Sequence, residues 1–379
     1  MKPKLLICSD TPVYSSGGAY QIFEPTYKEV SLFKEDFSSI SWITYRRPGQ
    51  SAATVEITRS TFWNWILLPN WRGGSSKVNK LRVLLSLPVQ AIIILREIFK
   101  AQVVHLRAPS VPALIVIFLL KWFRFSKKHF WIKYAGNWGE KNAAWAFDWQ
   151  KKTLLQLDRV NVKITINGQW PGLHKGFVSM ENPCFTERDY LSQSVNNKIK
   201  HSLSEPLHWC FVGHLEAFKG PLLLIEALQD PALVKSVGSL TLVGDGPLFP
   251  SLSALVKTLP FPLILPGYLP RHEIFEKVLK TSHVLVLPSS SEGFPKVIAE
   301  GMLYRCIPVV TRVSALEQYI HHGENGFLFS TLNKDEIIRV LKLVTELKDK
   351  IDTVADKAYE TASLFTYERF HGRIIQEVL

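Results

Sequence analysis

Short apolar runs bounded by turn residues alternate with longer helix-period stretches along most of this 379-residue chain. That alternation is the signature of βαβ units built around parallel sheets. In the first half the predicted strands are Lys4 to Cys8, Ile40 to Tyr45, Val103 to Leu106, Phe130 to Tyr134 and Lys163 to Ile166. A second series starts afresh with His208 to Val212, Ser239 to Val243, Leu263 to Leu265, Val284 to Leu287 and Ile307 to Val310. Gln193 to Pro206 is polar, and the linker is placed just before it, near Asn182 to Arg188. The pattern predicts two α/β domains, each long enough to bury its own core.

With 46% hydrophobic and 21% charged residues the chain is not a disordered one. Its formal charge of +12 points to an anionic partner: nucleic acid, a phospholipid surface or a phosphorylated small molecule. The charge is lopsided, because Arg72 to Lys133 holds twelve basic residues and a single acid, Glu97. Phe62, Trp63, Trp65, Ile66, Leu67, Leu68 and Trp71 come just before, and Trp122 and Phe123 lie within. Such interleaving fits either an anionic membrane surface or a core helix with a solvated basic face. No nucleic-acid recognition motif accompanies it. The greasiest stretch, Val111 to Leu120, is well short of the roughly 20 residues that a spanning helix needs. The apolar run Leu5 to Cys8 is too short for a signal-peptide core and reads as a buried first strand. Cys8, Cys184, Cys210 and Cys306 lie far apart without a C-x-x-C pair, which suits a reducing cytosol rather than a disulfide framework.

The strongest chemical signal is Ser289-Ser290-Ser291-Glu292-Gly293-Phe294-Pro295-Lys296-Val297-Ile298-Ala299-Glu300, directly after the strand Val284 to Leu287. It reads as strand, glycine-containing loop, then a helix with Pro295 in its first turn, where a missing N–H costs nothing. The free N–H groups at such a helix start suit a phosphate. Glu292 in the loop and Glu300 about two turns into the helix can each meet one end of an elongated polyhydroxylated ligand. Two further loops are expected on the same sheet edge, Gly213-His214-Leu215-Glu216-Ala217-Phe218-Lys219-Gly220 and Gly244-Asp245-Gly246-Pro247. In an open parallel sheet a ligand binds outside the carboxyl ends of the strands, where these loops gather.

The order VGHLEAFKG, LVGDGP, GYLPRHEI, LPSSSEGFPKVIAEGM, IPVV and ENGFLF resembles the C-terminal domain of the retaining glycosyltransferases of family four. The resemblance is strong from Trp209 to Phe329. In the first half it rests on Ser15-Ser16-Gly17-Gly18 and Val103-Val104-His105-Leu106, and Phe365-Thr366-Tyr367-Glu368-Arg369-Phe370 resembles the family's helix returning to the first domain. It implies the GT-B fold: two facing Rossmann-like domains with a central cleft, the first spanning 1–186 plus the helix 362–379, the second 187–361. Glu292 and Glu300 match the family's paired glutamates, the first facing the donor sugar and the second the nucleotide ribose. Lys219 matches the lysine that neutralises the diphosphate, Gly293 and Phe294 would approach the donor through their N–H groups, and the loop from Leu269 to His272 lies where the base is held. Gly17 and Gly18 match the glycine loop that faces the diphosphate from the other domain. His214, Gly244, Pro295 and Val297 complete the donor-binding set so implied.

Two departures stand out. His214 occupies the place where the family usually has an arginine, and lacks its guanidinium fork. After Phe130 to Tyr134, where family members often carry a histidine and a glycine, this chain has Ala135-Gly136-Asn137-Trp138-Gly139-Glu140, so Asn137 or Glu140 is a candidate contact to sugar or acceptor. His105 is expected to be a core histidine, and Lys296 either a phosphate ligand or an exposed helix lysine. No Asp-x-Asp occurs, so neither a metal nor another cofactor is expected. The implied activity is transfer of a sugar, with retention, from a nucleotide diphosphate sugar to a hydroxyl of a lipid-linked saccharide in surface polysaccharide or O-antigen assembly, at the cytoplasmic face of a membrane. The rival readings are a nucleotide-sugar epimerase on the same fold and a non-catalytic protein that binds a glycan or a membrane.

Overall fold

The computed structural model describes residues 2–16, 19–48, 54–57, 60–69, 77–140, 144–196, 206–347 and 350–379. The chain divides into two compact units, 1–180 with 371–379 and 181–370.

The first unit contains β1 (Lys4–Cys8), β2 (Val13–Ser16), β3 (Ala19–Phe23), α1 (Glu24–Ser31), β4 (Ser39–Pro48), β5 (Thr54–Ile57) and β6 (Trp63–Leu68). These are followed by α2 (Lys77–Lys100), β7 (Val103–Ala108), α3 (Val111–Trp122), β8 (His129–Tyr134), α4 (Trp145–Leu154), β9 (Val162–Ile166) and β10 (Phe177–Ser179). The parallel strands run β10-β9-β8-β7-β1-β4-β6, with β2, β3 and β5 added beyond the far end of β4. All five predicted strands of this half are present. The hairpin β2–β3 and strands β5 and β10 were not anticipated, being short and weakly patterned, and neither was β6, an apolar run that the sequence groups with the basic segment after it. Trp63 and Trp65, grouped by sequence with the basic segment as part of either a membrane-facing surface or a core helix, instead belong to β6. Trp65 stacks on buried Trp42 at 5.3 Å between centroids and Trp63 on Trp65 at 5.9 Å, which makes sheet packing of them. Trp71 lies outside the described residues.

Two of the twelve basic residues also turn inward. Arg107 Nη1 and Lys133 Nζ both donate to Oε1 of buried Glu29, at 2.7 and 2.8 Å. Charges this deep are tolerated only when paired. Beside them His105 stacks on Trp131 with 3.8 Å between centroids, and its Nδ1 lies 3.2 Å from the Trp131 carbonyl. It is the core histidine expected.

The second unit contains α5 (Glu187–Asn196), β11 (Leu207–Val212), α6 (Pro221–Leu228), β12 (Val237–Val243), α7 (Phe249–Leu255), β13 (Leu263–Gly267) and the short α8 (Arg271–Glu273), which continues as a π-helical turn. Then come β14 (Val284–Leu287), α9 (Lys296–Leu303), β15 (Ile307–Thr311), α10 (Leu316–Tyr319), β16 (Phe327–Phe329), α11 (Lys334–Thr345) and α12 (Ile351–Ala362). Its six parallel strands run β13-β12-β11-β14-β15-β16, the doubly wound order in which the sequence of strands reverses between β11 and β14. β14 and β15 are buried along their whole length, as the apolar runs Val284–Leu287 and Ile307–Val310 demand in a sheet covered on both faces. Each predicted strand of this half is present.

The units part at Met180/Glu181, short of the expected 186/187, and again at Phe370/His371 rather than at 361/362. Side-chain packing explains both shifts. Cys184, Phe185 and Phe365 are buried in the second core, Cys184 N donates to Phe365 O, and Phe185 bridges Thr366. The last helix, α13 (Tyr367–Glu377), passes from one unit to the other: His371 meets Asp36 at 2.7 Å and His129 meets Val378 O at 2.5 Å within the first unit.

Burial lowers the His105 pKa to about 3, with the nearby Arg107 charge acting in the same direction. The folded state therefore holds a neutral imidazole where the unfolded chain protonates near 6.5. Stability from this group is complete above pH 6.5 and is lost as pH falls toward 3. Relative to His105→Phe, the unfolding free energy of the native chain should fall by up to about 1.4 kcal/mol per pH unit across that window. Parallel urea titrations at pH 7.5, 6 and 5 check it; equal pH dependence in the two proteins would refute a neutral buried His105.

Candidate donor site

The loops that leave the carboxyl ends of β11, β12 and β14 are bound to one another in the second unit. Gly213 N donates to Val243 O at 3.0 Å, Leu215 N to Asp245 O at 2.9 Å and Ser290 N to Phe218 O at 2.8 Å. The contact leaves no room for side chains at two glycines. Gly244 has φ +138°, and a Cβ there would stand 1.9 Å from Gly213 O. Gly220 has φ +73°, and a Cβ would stand 2.5 Å from Pro288 O. Only glycine combines that backbone with that approach.

At the switch point between β11 and β14 this packing brings Lys219 and Glu292 together. Lys219 Nζ donates to Glu292 Oε1, with the two side chains 17% and 10% exposed. A pair so little exposed leaves an uncompensated charge when either partner is removed. Glu292 is held in place by its neighbours, for Phe294 is buried and stacks on Phe365 at 4.8 Å between centroids and edge-on to Tyr319 at 5.4 Å. Pro295 stands at the N-cap of α9, one position earlier than the sequence reading placed it. Gly293 forms the bend between them, and Val297 packs partly on the core.

Glu300 lies in α9 and is 8% exposed. Its Oε1 accepts from Arg271 Nε at 2.8 Å, and Arg271 Nη2 also donates to Cys184 O. Burial works against the Arg271 charge, but the Glu300 carboxylate outweighs it and the guanidinium pKa is held above its usual value. Sequence reading missed Arg271. The available signal was its place two residues after Leu269, in a loop already assigned to the base. Leu269 itself lines a cavity of about 510 Å³ with Thr241, Ile264 and Val278. Lys296 is half-buried rather than exposed, and its Nζ donates to Pro183 O at 2.8 Å. His214 is exposed, its Nε2 3.6 Å from Glu216 Oε1, a separation too long for a firm ion pair.

The remaining sequence candidates belong to the first unit. Asn137 and exposed Glu140 flank Trp138, which is buried edge-on to Tyr134 at 4.9 Å between centroids. Asn137 Oδ1 accepts from Gly139 N at 3.0 Å. Burial, reinforced by Glu140, pushes the Tyr134 pKa up to about 12. Gly17 and Gly18 lie outside the described residues.

Residues 194–361 match the family model described as Glycosyl transferases group 1, so the chain carries a domain of that kind. An uncharacterized glycosyltransferase of Haemophilus influenzae is 30% identical over 148 residues, 39% of this chain and 42% of that protein. The UDP-Gal:alpha-D-GlcNAc-diphosphoundecaprenol alpha-1,3-galactosyltransferase of Escherichia coli is 31% identical over 153 residues, 38% of each chain. The matches therefore span less than half the length of these two relatives. Over nearly the whole chain, the crystal structure of Anabaena HepE in complex with UDP and glucose superposes with TM-score 0.65 at 14% identity, covering 99% of this chain and 98% of that one. That likeness shows the fold, the two-domain α/β architecture of GT-B glycosyltransferase structures.

Gly244→Ala should destabilise the protein by about 3 kcal/mol or more, through a forced clash at positive φ. Gly323 has φ +81° but nothing within 4 Å of its Cβ position. Gly323→Ala should therefore cost only about 1 kcal/mol of backbone strain. Urea melts of the two variants check the difference; comparable losses would mean that the β11 and β12 loops are not packed this closely.

Proposed function

We propose that this protein is a retaining glycosyltransferase that moves a sugar from a nucleotide diphosphate sugar to a hydroxyl of a lipid-linked saccharide. The observation that carries the reading is the Lys219–Glu292 pair at the switch point, with Glu300 on the helix that follows paired to Arg271 of α8. An ammonium and a helix start suit a diphosphate, and two carboxylates suit hydroxyl-rich groups on either side of it. On this reading Lys219 takes the diphosphate, Glu292 orients the sugar and Glu300 takes the ribose. Gly293 and Phe294 offer backbone N–H groups, with His214, Gly244, Leu269, Pro295 and Val297 around the donor. The resemblance assigns Asn137 and Glu140 to the sugar or acceptor, while Gly17 and Gly18 lie outside the described residues.

In the transfer step the bond from the anomeric carbon to the leaving phosphate oxygen breaks as the acceptor oxygen bonds to that carbon on the same face. The acceptor's proton passes to the departing phosphate oxygen, so no side chain is needed as general base. Lys219 and the N-terminal end of α9 stabilise the charge that develops on the diphosphate, in the role a divalent ion plays elsewhere. The membrane-borne acceptor is supported by the strongly basic first half and by the diphosphoundecaprenol substrate in the name of the Escherichia coli relative. It places the protein peripherally at the cytoplasmic face, in surface polysaccharide assembly.

Calorimetric titration with UDP, GDP and ADP in EDTA tests the donor site. One nucleotide should bind selectively, and Lys219→Ala and Glu300→Ala should each weaken it at least about tenfold, the worth of a lost charge-assisted contact. If no nucleotide binds, the exposed imidazole of His214 does not replace a guanidinium and a non-catalytic role takes precedence. An inverted anomeric configuration in the first-formed product, read by NMR, would end the retaining mechanism.

A further inference from the structure

Helix α2 is apolar on both sides. Gln90, Ile94 and Ile98 on its inner side are fully buried, and Gln90 Oε1 accepts from Tyr45 Oη at 2.8 Å. On its outer side Leu81, Leu85, Ile92 and Phe99 are 56%, 71%, 69% and 64% exposed. At about 100° per residue these four fall within about 40° of one another, and from first to last they span about 27 Å. The patch continues past the helix, since Phe99 meets Phe125 at 6.3 Å between centroids and Phe125 meets exposed Phe123 at 6.5 Å. Trp122, at the end of α3, is 68% exposed beside them. An apolar patch this long is not left to water in a soluble monomer.

Charge identifies what covers it. Arg82, Arg96, Lys121, Arg124 and Lys127 are exposed on these same helices and the turn after α3. Glu97, the one acid between Arg72 and Lys133, is buried and paired with Lys100 at 2.6 Å. A second copy docking through the same face would set these cations against themselves, as a self-complementary interface must. Anionic headgroups neutralise them instead. The inner side of α2 is committed to the core, and no described helix is long and apolar enough to cross a membrane. The helix is therefore suited to lie in the interface rather than to span it.

We propose that the outer face of α2, with the aromatic end of α3, is the surface by which this protein docks on an anionic lipid bilayer, seating α2 in the plane of the headgroups. This deepens the peripheral placement proposed above and rests on it for the nature of the surface met.

All four native cysteines are buried, so a thiol introduced by Ile92→Cys takes an environment-sensitive fluorophore selectively. With phosphatidylglycerol vesicles that label should shift to the blue, the shift should weaken with added salt, and a label at Leu191→Cys on the second unit should not move. Leu85→Glu with Ile92→Glu should reduce vesicle sedimentation at least about tenfold while leaving nucleotide binding intact. If the native protein sediments with vesicles but the Ile92 label does not shift, this surface is wrong and the membrane placement stands. If the native protein does not sediment, both fall, while the nucleotide titration still decides the donor site. A label shift that follows protein concentration without vesicles, together with a dimer in sedimentation equilibrium, would assign the face to a second copy.

Discussion

The pairing of β11 with β14 is the constraint on which the candidate site depends. Trp209 and Cys210 lie beside Val284 and Leu285 in parallel register, although 75 residues separate them. Because both strands run the same way, the loops leaving their carboxyl ends emerge side by side. The ion pair between Lys219 and Glu292 is a product of that register. A slip of one residue would turn every side chain of β14 to the opposite face of a sheet whose two faces are both covered. The fully apolar Val-Leu-Val-Leu run tolerates either face chemically, so packing of the flanking segments has to choose. Phe294 on Phe365 and Gly220 against Pro288 make that choice at the end where it matters.

Glu292 and Glu300 are held by different means, and the difference suits different tasks. Glu292 sits in a loop and its charge is met by a lysine, a compact point charge on a flexible stem. Glu300 sits inside a helix and meets a guanidinium whose other nitrogen is fixed to the Cys184 carbonyl. A flexible cation can turn to an incoming anion without dismantling the site. A planar guanidinium anchored at two points instead fixes the orientation of its carboxylate.

Legibility in the sequence followed burial on both sides of a sheet. Strands such as Val284–Leu287 and Ile307–Val310 are continuous apolar runs and were read directly, as was the order of loops that carries Lys219, Glu292 and Glu300. The hairpin of Val13–Ser16 with Ala19–Phe23 was not, because its strands are short and mixed in polarity. Arg271 was overlooked for another reason. Its importance lies in a contact with Glu300 across 29 residues, and no local pattern records such a contact. Lys296 likewise meets the carbonyl of Pro183, 113 residues earlier, a contact that no local pattern records.

The basic stretch of the first half illustrates why net charge alone misleads. Arg107 and Lys133 contribute to the formal +12 but meet Glu29 in the interior, where their task is to satisfy one carboxylate. Arg82, Arg96, Lys121 and Arg124 face outward beside apolar side chains that no described residue covers. The sequence places both sets in one run of like charge, and only the fold separates them. Helical periodicity did not help, because α2 has apolar residues on every side. A helix of that kind is expected to be enclosed all round. Here the protein encloses one side, through Gln90, Ile94 and Ile98, and leaves Leu81, Leu85, Ile92 and Phe99 exposed on the other.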